Sequence, residues 1–166
     1  MAADEYLKLD NQLCFLLYGA SRAVTQLYQP LLAPLGLTYP QYLVMLVLWE
    51  EDGASVRTLC DRLYLDSGTL TPLLTRLASA GLIRRVRSKA DARVVDIRLT
   101  AAGKKLKRAA RSVPEALLCR LGLPLAELAR VRGELKRLFD LTRLEATLGP
   151  RRRTGGPKAL EEEKAS

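Results

Sequence analysis

The chain has 166 residues, 48% apolar and 27% charged, enough for one domain with a real core and too apolar for a disordered chain. Its net charge of +9 and isoelectric point near 9.8 fit a polyanionic partner, or simply a basic soluble protein. Aromatic residues make up only 5%, which argues against a stacking platform for single strands. The lack of histidine removes Ser-His-Asp and Cys-His catalysis and most catalytic zinc sites.

There is no Cys-x-x-Cys, Walker loop or Gly-x-Gly-x-x-Gly, so no metal or cofactor is expected and no enzyme is indicated. The opening residues lack the order of a signal peptide, and no apolar run reaches the roughly 18 residues of a membrane span. Three scattered cysteines, Cys14, Cys60 and Cys119, do not make a disulfide scaffold, and they suit a reducing cytoplasm.

Residues 1–11 read as a short polar lead. From Gln12 to about Leu32 the pattern is helical, with Leu13, Leu17, Ala20, Val24, Leu27 and Leu31 forming a heptad seam. Cys14, Tyr18, Ser21, Thr25 and Tyr28 lie beside it at the same spacing. The seam implies packing on other helices, within the chain or across a dimer. Thr38, Pro40 and Gln41 form a capping box that starts a second helix, Tyr39 to about Glu51, apolar all round and so central to the core. Ser55 caps a third helix with Val56, Leu59, Cys60 and Leu63 inward, Cys60 being most simply a small core residue.

The stretch from Ser55 to Thr100 reads helix, turn, helix, two-stranded ribbon. Asp66 or Ser67 caps the second of these helices, in which Leu70, Leu73, Leu74 and Leu77 make a buried stripe. Its other side carries Ser67, Thr69, Thr71, Pro72, Thr75 and Arg76, a small, hydroxyl-bearing face with one strong cation. Such a face can enter a DNA major groove and meet base edges. Pro72 conflicts with a start at Ser67, because its missing N–H orphans the Gly68 carbonyl; propensity alone would start the helix at Thr71. Leu82–Arg87 and Arg93–Leu99 are β-branched, basic strands joined by a turn at 88–91. A helix-turn-helix followed by a basic hairpin is a winged helix; a purely structural α+β unit with a solvated hairpin would share the pattern.

Thr100 opens a fifth, basic helix running to about Leu121, with Pro114 as a bend. A last helix spans Leu125 to about Leu148, with Leu128, Val131, Leu135, Leu138, Leu141 and Leu144 at helical spacing. Residues 149–166, with an arginine triplet, read as a disordered tail. The expected layout is mainly α with a small β-wing: a winged helix over 39–100 within one domain, 12–148. The apolar seams of 12–32 and 101–148 exceed what one small core needs, and a symmetric homodimer would bury them.

This arrangement resembles the MarR family of dimeric winged-helix regulators over roughly residues 10–148. Asp91-Ala-Arg93 at the wing tip matches the family's Asp-x-Arg. Leu9–Phe15, Gly36–Leu43 and Leu63–Leu74 are longer strings, similar to the organic hydroperoxide resistance regulators. The resemblance implies a homodimer on double-stranded operator DNA, with Asp91 orienting Arg93 into the minor groove and proline tolerated in the recognition helix. It also implies an organic hydroperoxide as inducer and Cys14 as the sensing cysteine, held by Tyr18, Tyr28 and Tyr39. Cys119 is then the resolving thiol, from the partner subunit.

The chemistry fits those residue types. A thiolate attacks peroxide, apolar burial alone would protonate it, and phenolic O–H donors favour the charged form without repelling an organic peroxide. Tyr18 lies one turn from Cys14, whereas Tyr28 is about 21 Å along a straight helix and can reach only a partner's cysteine. Two other readings share these residues: a MarR-type repressor relieved by a small phenolic ligand, with Cys14 incidental, and a thiol peroxidase, which lacks the usual activating histidine.

Overall fold

The computed structural model describes residues 3–87, 91 and 93–148, and the side chains of 4–87, 91 and 93–143 among them. The wing turn at 88–90, the tail expected at 149–166 and the Leu144 side chain lie outside the described residues. The chain divides into two compact units, one ending at Leu121 and one beginning at Gly122.

In the first unit the order is α1 (Leu13–Leu32), α2 (Tyr39–Glu50), α3 (Val56–Leu63), α4 (Ser67–Ser79), β1 (Ile83–Arg87), β2 (Val95–Leu99), α5 (Ala101–Ala110) and α6 (Val113–Leu121). Mainly helical with a two-stranded antiparallel sheet, this is the expected fold class. Two short 3₁₀ turns, Ala3–Leu7 and Leu9–Asn11, occupy the polar lead.

The capping signals act where the sequence puts them. The Thr38 N–H donates to Gln41 Oε1 at 2.8 Å, Thr58 N–H to Ser55 Oγ at 3.0 Å, and Gly103 N–H to Thr100 Oγ1 at 3.1 Å. For α4 the cap is Asp66, whose carboxylate accepts the Thr69 N–H and the Thr69 hydroxyl, both at 2.8 Å. The helix therefore starts at Ser67 despite Pro72. Gly68 is exposed, so its carbonyl can turn to water, and Leu70, Leu74 and Leu77 are buried beneath.

Pro114 does more than bend its helix. A continuous helix would bring its ring against the Ala110 carbonyl; α5 ends at Ala110, and Pro114 sits in the first turn of α6. The expected fifth helix is thus two.

The core lies among α2, α3, α4 and the inner face of the sheet, with Val44, Met45, Leu48, Leu59, Leu70, Leu77 and Ile97 fully buried and Cys60 packed against them. The strands pair Ile83 with Leu99, Arg84 with Arg98 and Arg85 with Ile97. An unexpected short edge runs beside β2: Gly53 N–H donates to Ile97 O and Ile97 N–H to Ala54 O. The turn after α2 is tied to the wing by Asp52, which accepts the Leu99 N–H at 2.8 Å and lies 3.0 Å from Lys104 Nζ.

A second tie joins α5 to α2. The Trp49 indole N–H donates to Gly103 O at 2.9 Å, and Lys107 Nζ donates to Trp49 O at 2.6 Å. At Gly103 a Cβ would stand 2.1 Å from Leu82 O, so only glycine fits. Among the described residues, no single helix is long and apolar enough to cross a membrane. The second unit contributes α7 (Leu125–Leu148), one helix on which Leu128 and Leu138 are partly covered and Leu125, Val131, Leu135, Phe139 and Leu141 are exposed.

Candidate DNA interface and thiol site

Helix α4 turns its leucines inward and leaves Ser67, Thr69, Thr71, Pro72, Thr75 and Arg76 all exposed, the face its spacing predicted. Its hydroxyls are not free rotors. Thr69 donates to Asp66, Thr71 to Ser67 O at 2.6 Å, and Thr75 to Thr71 O at 3.0 Å. Their protons are therefore engaged within the protein. The Thr69 N–H and then its hydroxyl hold the Asp66 carboxyl below its ordinary value, favouring the charged form that caps the helix.

At the wing, Asp91 and Arg93 are exposed. The Arg93 N–H donates to Asp91 Oδ1 at 2.9 Å and the Val94 N–H to Asp91 O at 2.9 Å. Those donors belong to the turn and cannot join the ladder, which is why β2 begins at Val95 rather than Arg93. Arg93 and Arg57 flank a groove of about 350 Å³ between the wing base and the start of α3. The sequence reading passed over Arg85, whose guanidinium reaches Thr75. Strand alternation carried the signal: Arg85 is two residues from Ile83, on the core-facing side of the ribbon.

The thiol residues fall at two ends of one helix. Cys14 and Tyr18 are exposed near the start of α1, and Arg22 Nη1 donates to the Tyr18 hydroxyl at 3.0 Å. Tyr28 packs tilted against Tyr39, with ring centroids 4.6 Å apart, and against Tyr42, with centroids 5.9 Å apart. Burial, then the neighbouring Tyr39 and Tyr42, pushes the Tyr28 phenol up to about 12, and burial raises Tyr39 and Tyr42 as well. These phenols stay protonated, and so remain donors, at neutral pH. Because α1 is helical from Leu13 to Leu32, about 21 Å of rise separates Tyr28 from Cys14 of the same chain. Cys119 is exposed on α6, and all three cysteines are free.

A helix-turn-helix with an exposed hydroxyl-rich second helix, followed by a basic two-stranded ribbon, defines a winged-helix DNA-binding protein. Residues 26–110 match the family model described as transcriptional regulator SarA/Rot. The chain is 52% identical over 114 residues to the organic hydroperoxide resistance transcriptional regulator of Bacillus subtilis, covering 69% of this chain and 78% of that one. It is 47% identical to the regulator TtmR of Methylorubrum extorquens, covering 86% and 77%.

Among solved structures it resembles AbfR of Staphylococcus epidermidis. Reduced, DNA-bound AbfR matches at 39% identity over 84% of this chain and 97% of that one, with a TM-score of 0.67. Disulfide-formed AbfR matches at 36% over 87% and 96%, with a TM-score of 0.57. The chain belongs to the MarR family of winged-helix transcriptional regulators, close to its organic hydroperoxide resistance members, a family of regulators rather than enzymes.

Proposed function

We propose that the protein is a homodimeric cytoplasmic repressor that senses organic hydroperoxides through Cys14 and then releases its operator. The observation that carries this reading is the division of the thiol site along α1: Cys14 and Tyr18 are exposed at one end, and protonated Tyr28 and Tyr39 are clustered at the other. Two first helices packed antiparallel about a dyad bring each cysteine to the partner's tyrosines. The uncovered side chains Leu13, Phe15 and Leu16 give that packing its apolar surface. In this arrangement residues 12–148 act as one MarR-type domain, with 12–32 and 101–148 as its dimerisation helices.

In the reaction, the Cys14 thiolate attacks the terminal peroxide oxygen and the O–O bond breaks. An alcohol leaves after taking up a proton, and sulfur is oxidised by two electrons to the sulfenic acid. The Cys119 thiol then attacks that sulfur; its proton and the departing hydroxide leave as water, and a disulfide remains. In the reduced dimer Ser67, Thr69, Thr71, Pro72, Thr75 and Arg76 face successive major grooves about 34 Å apart, and Asp91 and Arg93 address the minor groove. Oxidation alters the spacing of the two heads. A mobility shift on the gene's own upstream DNA tests the reading. Wild type should release DNA on adding an organic hydroperoxide, and Cys14→Ser should bind and stay bound. Release by Cys14→Ser as complete as by wild type would leave a ligand-relieved MarR regulator in its place.

A further inference from the structure

The Arg85 guanidinium donates from Nη2 to Thr75 Oγ1 at 3.1 Å, joining the wing to the exposed face of α4. Arg85 is paired across the ribbon with Ile97, which is fully buried, so both lie on the side of the sheet that faces the helices. Arg85 is nevertheless exposed, because it lies beyond the edge of the core. Among the described residues, no carboxylate forms an ion pair with it. The other face of the same ribbon differs: Arg84 stands opposite Arg98, and Arg98 has Asp96 at 3.8 Å.

The Thr75 hydroxyl has its own proton on Thr71 O and accepts from Arg85, so it has no donor left for a base edge. The guanidinium uses one N–H on Thr75 and, among the described residues, its other N–H groups have no acceptor, so they can meet one outside the protein. When α4 enters a major groove and the wing tip the adjacent minor groove, the phosphate ridge between the grooves passes between those two elements, beside Arg85.

We infer that Arg85 clamps that phosphate ridge and that Thr75 serves to orient Arg85 rather than to read a base. This rests on the DNA-binding reading and refines it. The test is the salt dependence of binding by the full-length protein to its upstream operator and to a scrambled duplex.

Arg85→Ala should weaken binding to both DNAs by the same factor, roughly tenfold, and lower the slope of log affinity against log salt by about one. Thr75→Val should act in the same direction, Thr75→Ser should restore wild-type behaviour, and Thr75→Val should add nothing in the Arg85→Ala background. An unchanged salt slope in Arg85→Ala would overturn the clamp. A selective loss on the operator alone would instead make Arg85 a base reader, and additive effects of the two substitutions would end the orienting role of Thr75. Arg93→Ala separates the levels: if it weakens binding while Arg85→Ala does not, only this inference fails. If wild type binds neither DNA, the DNA reading fails with it. Thermal unfolding of each variant should match wild type, since both side chains are exposed.

Discussion

The winged-helix head and the first half of α1 are both rich in leucine and handle it in opposite ways. In the head, Leu48, Leu59, Leu70, Leu74 and Leu77 are at or near zero exposure, and no described buried side-chain polar atom lacks a partner. At the start of α1, Leu13 and Leu16 are each 56% exposed and Tyr18 59%. The head fills its core within one chain, whereas the start of α1 leaves Cys14 and a run of apolar side chains exposed. A self-sufficient core and an unfinished apolar stretch on the same chain place the stability in the head.

The largest expected effect is all or none and concerns the unfinished region. Oxidised wild type should run as a dimer-sized band on non-reducing gels, absent from Cys14→Ser and from Cys119→Ser and unaffected by Cys60→Ser, whose thiol is packed against the core. A monomer-sized disulfide species would place the bridge within one chain. Next comes a direct contrast of the two regions. Leu74→Ala should cost about 2–5 kcal/mol in denaturant unfolding, because it opens a cavity in a filled core. Leu13→Asp should leave the head folded by circular dichroism and shift sedimentation at micromolar concentration from dimer to monomer. If Leu13→Asp stayed dimeric, α1 would not be the interface.

The smallest effect tests a tie inside the head, between the turn after α2 and the wing. Burial alone would raise the Asp52 carboxyl, but the Leu99 N–H, the Lys104 ammonium and Arg98 more than offset it, and its pKa lies below the ordinary value. A depressed folded pKa gives stability that is present above the unfolded pKa and is lost as pH falls through the folded one. Asp52→Asn should therefore cost about 0.5–1 kcal/mol at neutral pH. It should also flatten the acid limb of the stability curve, read from urea unfolding between pH 6 and the acid transition. An unchanged acid limb would show that Asp52 does not carry it.

Much of the head was legible because its signals are local. Caps at Thr38, Ser55 and Thr100, the leucine stripe of α4 and the alternation in the strands are each decided within a few residues. Pro114 was read as a bend because spacing alone does not say whether a helix absorbs a proline. The structure shows that Pro72 is absorbed, with its orphaned carbonyl on an exposed glycine, and that Pro114 is not. The edge at 53–55 and the Arg85–Thr75 bond were hidden, since both join segments whose pairing depends on how the ribbon lies against the helices. Within the candidate thiol site the family resemblance named the residues, and helical spacing set the reach along α1. The division of Cys14 and Tyr28 follows from helix length alone, so it was visible before any contact was known.

The double tie through Trp49, Gly103, Lys107 and Asp52 bears on protein engineering. A cassette carrying this DNA specificity onto another regulator cannot be cut after the last strand of the wing. A junction at Thr100 would remove the Lys107 ammonium from the Trp49 carbonyl and leave Leu82 O facing a foreign side chain where only hydrogen fits. The portable module extends through Ala110, and the seam for a chimera is the turn at 111–112, where the chain has already broken its helix. Swapping at that seam would exchange α6, with Cys119, and α7, while the exposed face of α4 travels with its own brace.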